Sequence, residues 1–266
     1  MIKPVGIMIL AVTGVMASPV VPGLIGKHGL SEPQKGRLLF SELRCVSCHA
    51  DESVKQKKGP DLSLVGSRVN PDYIQKFIAS PHNVDPGTQM PDLLAGNSKR
   101  NEIAEALTHY LVSRTENSFI EGVVKQDDVH SGKKIFNKIG CVNCHQPDKG
   151  VQLSHVPSKY GVDSLTEFLF QPLHTRSSGR MPDMNLTREE AKSVASYLIG
   201  FKAVKLSEFK PVAFKVAEGK KYFKQLSCAS CHELEGQKGS RSFTMEKLRP
   251  DRGCLSVKPE AAPDSH

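Results

Sequence analysis

"GRLLFSELRCVSCH", residues 36–49, decides how this chain is read, because the chain carries its pattern three times. The pattern returns as "GKKIFNKIGCVNCH" at 132–145 and as "GKKYFKQLSCASCH" at 219–232. All three fit G-x3-F-x4-C-x2-C-H, a frame too long to recur by chance, so the chain is built on internal repeats. Upstream of the cysteines the apolar side chains fall at helical spacing: Leu39, Phe40 and Leu43, then Ile135, Phe136 and Ile139. Each repeat therefore predicts a short amphipathic helix that leads directly into its cysteines.

Two cysteines three positions apart, with His immediately after, suit one task well. Each thiol adds across a vinyl group of a haem to give a thioether, and the adjacent His is held under the iron. The candidate tethers are Cys45 and Cys48, Cys141 and Cys144, and Cys228 and Cys231; the candidate iron ligands are His49, His145 and His232. Disulfides would not call for a His after every pair. Zinc would need two pairs combined at ribbon spacing, which the chain lacks. A thioredoxin-like motif would need a βαβ context that the helical pattern denies.

A second frame follows two of the three motifs. "FIASPHNVDPGTQMPD" (77–92) and "FLFQPLHTRSSGRMPD" (168–183) both read F-x3-P-x8-M-P-D. A lone Met is usually core filler. Two at matched positions of a repeated frame point to Met90 and Met181 as the second iron ligands, soft thioether donors that raise the potential. Met184 is a rival to Met181 but has no following Pro. A helix is expected after each: "NEIAEALTHYLV" (101–112), with Ile103, Leu107, Tyr110 and Leu111 on one stripe, and "TREEAKSVASYLIGF" (187–201), opened by a Thr187–Glu190 capping box.

With these motifs in place, residues 30–114 and 127–201 resemble class I c-type cytochromes, each over nearly its whole length. The resemblance implies an all-α chain of tandem helical domains around covalent haem c and its iron, each with a Met loop and a C-terminal helix packed across the first. "GPDL" (59–62) looks like the family's Gly-Pro-x-Leu stretch, which implies that the Pro60 carbonyl accepts the Nδ1–H of His49. The second repeat departs here: "GVQL" (150–153) has Val151 in place of Pro. Arg68 and Arg180 are candidates to pair with haem propionates. His155 reads as a polar residue near the pocket, and His28, His82, His109, His130 and His174 as surface residues.

The third unit, 212–266, is short or incomplete. After His232 the only Met is Met245, outside any M-P-D frame, so the distal ligand of a third haem is open. The unit could be degenerate and bind haem poorly, the ligand could come from another domain or from His266, or the iron could be five-coordinate and open to a small molecule. Cys254 fits no haem motif. "TENSFIEGVVKQ" (115–126) and "KAVKLSEFKPVA" (202–213) read as linkers.

The formal charge of +8 does not argue for nucleic acid, because Lys and Arg are scattered, and three haems would add about −6 through their propionates. Hydrophobic residues at 38 % indicate a globular chain. At the N-terminus Lys3 precedes an uncharged run, Pro4 to Gly26, whose strongly apolar part is Val5 to Val15 and in which Pro19 and Pro22 would break a long membrane helix. This pattern predicts a signal peptide over 1–17, cut between Ala17 and Ser18, with membrane contact only if it is retained. The expected function is that of an exported multihaem electron carrier without catalytic residues. It resembles cytochrome subunits that pass electrons from a periplasmic dehydrogenase to a respiratory oxidase. The rival is a peroxidase-like or gas-binding protein that uses an open third haem.

Overall fold

The computed structural model describes residues 29–42, 45, 59–146, 150–176, 179, 181–200 and 209–237. The expectations for the signal segment, Cys48, His49, Arg180, Met245, Cys254 and His266 lie outside these residues. The described chain is helical; its one β feature is an antiparallel bridge between His145 and Gly150. No described helix is long and apolar enough to cross a membrane.

The elements in order are α1 (Glu32–Glu42), α2 (Val65–Arg68), α3 (Pro71–Ala79), α4 (Pro81–Val84), α5 (Arg100–Val112), α6 (Gln126–Ile139), α7 (Val156–Lys159), α8 (Val162–Phe170), α9 (Pro172–Thr175), α10 (Arg188–Ile199) and α11 (Ala213–Gln225). Short 3-10 turns at Cys141–Asn143 and Cys228–Ser230 carry two of the cysteine motifs.

The second repeat folds on itself. α6 crosses α10, with α8 packed beneath. α6 has Asp127 and Asp128 in its first turn and Lys138 in its last, and it stops at Gly140, which is left-handed at φ 91°. Thr187 and Glu190 cap α10 reciprocally: the Glu190 N–H donates to Thr187 Oγ1 (3.2 Å) and the Thr187 N–H to Glu190 Oε2 (2.9 Å). At the crossing, a Cβ on Gly132 would run into the carbonyl oxygen of Ser193, so only glycine lets the helices approach this closely. Phe136 meets Tyr197 one turn on, with ring centroids 5.5 Å apart.

The first repeat is completed differently. The helix that crosses α5 is α11, from the third repeat. The contact copies the one between α6 and α10. A Cβ on Gly219 would strike the Ala106 carbonyl oxygen, and Phe223 meets Tyr110 edge-on at 5.6 Å. Phe223 is 2 % exposed, and burying a side chain of that size contributes about 2–3 kcal/mol. Gly36, the same frame position on α1, has nothing within 4 Å of its would-be Cβ. The described part of 212–266 thus packs on the first repeat, although the sequence sets it apart as a partial unit.

One surface assignment is corrected by this packing. His109 is 6 % exposed, covered by the chain entering α11. Its Nδ1 accepts the Val212 N–H at 3.1 Å, and its ring lies 4.7 Å from that of Phe209. His82, His130 and His174 are exposed as expected.

The two cores share Tyr160. The Asn70 N–H donates to the Lys159 carbonyl (2.9 Å), and the Val162 N–H to that of Glu121 (2.6 Å), so part of the expected 115–126 linker is pinned against α8.

Candidate haem sites

Each described Cys-x-x-Cys-His turn is built the same way. In the second repeat, the His145 N–H donates to the Cys141 carbonyl at 3.0 Å; in the third, the His232 N–H donates to that of Cys228, also at 3.0 Å. Entry to each turn needs left-handed backbone: Gly140 supplies it in one, and Ser227, at φ 52°, in the other. The result brings both cysteines and the histidine of each motif onto one tight loop. Cys141, Cys144 and Cys228 are free thiols, and Cys45 is half-buried.

The imidazoles are anchored from behind. His145 Nδ1 lies 3.0 Å from the Val151 carbonyl. Val in place of Pro therefore does not misplace the acceptor: the Val151 N–H donates to Cys144 O at 3.0 Å and holds the strand in position. His232 Nδ1 lies 2.9 Å from the carbonyl of Pro60. The partner of Pro60 among the described residues is thus His232, where the family resemblance implied His49. The physical reason is a short ladder between the segments. The Gly59 N–H donates to Cys231 O (2.6 Å) and the Leu62 N–H to Glu233 O (2.8 Å). Gly59 is required there, since a Cβ on it would sit 2.7 Å from His232 Cε1.

An Nδ1–H given to a carbonyl fixes the tautomer and leaves the Nε2 lone pair free for a metal. Burial lowers the pKa of His232, only partly opposed by its bond to Pro60, which favours the neutral, ligating form. Burial also pushes the Cys228 thiol up to about 11, and that of Cys141 upward.

The methionine loops are shaped by their M-P-D triplets. Asp92 Oδ1 accepts the Leu94 N–H (3.1 Å) and Asp183 Oδ1 accepts the Asn185 N–H (2.8 Å), so each Asp turns the chain just after its Met. Arg100 clamps Asp92 with two contacts, at 3.0 and 2.7 Å. Met90 and Met181 are both half-buried; Met181 and Met184 both pack against the second core. The F-x3-P part of the frame is also structural. Phe77 stacks on Tyr73 and Phe168 on Tyr160, while Pro81 and Pro172 are fully buried as first residues of α4 and α9.

The donor set fits haem c: paired thiols, a carbonyl-anchored imidazole and a thioether loop. Tyr73 adds to that fit. Its hydroxyl is buried without a hydrogen-bond partner, a donor suited to a carboxylate such as a propionate. Burial raises its pKa and lowers that of half-buried His155, and Arg176 is close enough to press on both and on His232. Arg68 points its Nη2 at the Asp61 carbonyl, 2.7 Å away. Among the described residues no three His, Cys, Asp or Glu side chains converge as a zinc site requires. Gly59, Tyr73 and Arg176 were not singled out from the sequence. Only Gly59 carried a signal, as the first residue of "GPDL".

Comparison with known proteins agrees with this chemistry. Residues 33–115 match the family model described as cytochrome c, and residues 127–198 match the model described as cytochrome c oxidase, cbb3-type, subunit III. No curated protein and no solved structure matches the chain. Over these two stretches the chain belongs to the c-type cytochrome family.

Proposed function

We propose that the protein is an exported multihaem cytochrome that relays single electrons between redox proteins, with no substrate chemistry of its own. The observation that carries this reading is the twofold anchoring of a free-Nε2 histidine, His145 on Val151 and His232 on Pro60, each beside a cysteine pair. Haem iron, when bound, supplies the one-electron Fe(III)/Fe(II) couple. The polypeptide's part is to hold and orient. Cys45, Cys48, Cys141, Cys144, Cys228 and Cys231 would tether the haems, and His49, His145, His232, Met90 and Met181 would supply ligands to their iron. Apolar packing around Leu94, Leu107, Leu165 and Leu186 keeps water away and favours the reduced, less charged iron.

The match of 127–198 to a family named for an oxidase subunit supports a respiratory oxidase as electron acceptor, with a periplasmic dehydrogenase as the matching donor. Covalent haem attachment outside the cytoplasm agrees with the apolar N-terminal run and with cleavage after Ala17. The test is a haem count and an optical redox titration of the exported protein. The expected result is haem that stays with the chain after denaturation, reversible one-electron steps and no peroxide turnover with an artificial reductant. Peroxide turnover that depends on the third motif would overturn the carrier reading.

A further inference from the structure

The first repeat has one methionine loop and one C-terminal helix, yet two segments of this chain carry the frame that packs on such a helix. Those segments, once α6 is set aside with its own closing helix α10, are α1 with its motif and α11 with its motif. In the described structure α11 holds the place. Gly219 sits over Ala106, Phe223 against Tyr110, and His232 on Pro60, matching Gly132, Phe136 and His145 of the second repeat position for position.

Charge at the crossing separates the two candidates. Four residues before the frame glycine, α11 has Lys215, which pairs with Glu105 on α5. The corresponding positions in the second repeat are Asp128 and Lys192, again opposite in sign. On α1 the same position is Glu32, which would meet Glu105 as a like charge. Two further contacts favour α11. The Val212 N–H donates to His109, and Arg114 Nη2 donates to the Glu235 carbonyl at 3.3 Å.

We propose that the third motif, not the first, completes the haem pocket of the first repeat, so that the haem on Cys228 and Cys231 has His232 as its proximal ligand and the Met90 loop on its other side. This assignment rests on the motifs being haem tethers. It resolves the apparent lack of a methionine in the third repeat, whose partner lies far upstream in sequence. It also removes the feature that favoured an open third iron.

The test substitutes the two frame glycines separately in the haem-loaded full chain, Gly219→Ala and Gly36→Ala. Melting temperature and the ferric methionine–iron charge-transfer band are read for each. Gly219→Ala should lower the melting temperature and remove about half of the band, one of two His–Met sites. Gly36→Ala should lower neither. Loss with Gly36→Ala, equal loss with both, or loss with neither overturns the proposal. If Gly219→Ala fails to accumulate, Glu105→Lys decides: it should destabilise by facing Lys215 and be rescued by Lys215→Glu. Stabilisation by Glu105→Lys alone would mean that Glu32 is the true neighbour. Absence of haem from every variant and from the parent would defeat the tether reading itself, a different outcome from either band result.

Discussion

At the scale of single residues, the turns into the cysteine motifs show how one backbone requirement is met at unequal cost. Gly140 adopts φ 91° freely, whereas Ser227 holds φ 52° with a Cβ that crowds its own carbonyl. Ser227→Gly should therefore stabilise the protein, by about 0.5–1 kcal/mol at most, because part of the gain is offset by the larger entropy of glycine in the unfolded chain. Denaturant titration of the holoprotein checks this; a destabilisation would mean that the Ser227 side chain is itself needed. Tyr73 illustrates the opposite case, a buried hydroxyl whose partner is expected from the haem rather than from the chain.

At the scale of elements, the contact between α5 and α11 has a pH signature. Burial lowers the pKa of His109, Lys215 lowers it further, and Glu105 raises it in part. A histidine depressed in the folded state binds its proton more readily when unfolded. Its stabilising contribution is complete above the ordinary value of 6.5 and is lost as pH falls below it. His109→Gln should thus flatten the fall in stability between neutral and mildly acidic pH, while leaving the second repeat unaffected. A melting series across that range in both proteins is the check; parallel curves would contradict it. Much of this level was legible in the sequence. The amphipathic helices, the Thr187–Glu190 box and the order of motif, Met loop and closing helix were all visible in local spacing, which is where propensity and capping act. His109 was not legible. Residues 209–212, about a hundred positions away, lie over it.

At the scale of the whole molecule, repetition made the reading both easy and incomplete. Three copies of one frame mark three candidate tethering motifs, but identical frames cannot say which copy docks on which closing helix. That choice is made by features outside the frame: the sign of the charge at Glu32 and Lys215, the clearance at Gly59, and the ladder from 59–62 to 231–233. The second repeat has its described parts in one stretch, with α6, α8 and α10 packed on one another. Its Val151 departure proved harmless because a backbone carbonyl, not a side chain, does the anchoring.

The most direct measurement of the central claim is zero-length carbodiimide coupling of the holoprotein, followed by peptide mass spectrometry on the single-chain band. Lys215 and Glu105 are in ion-pair contact, so coupling should yield an amide between the α5 and α11 peptides, and Lys215→Arg should abolish it. Coupling of Glu105 to Lys35 of α1, with no α5–α11 product, would contradict the account.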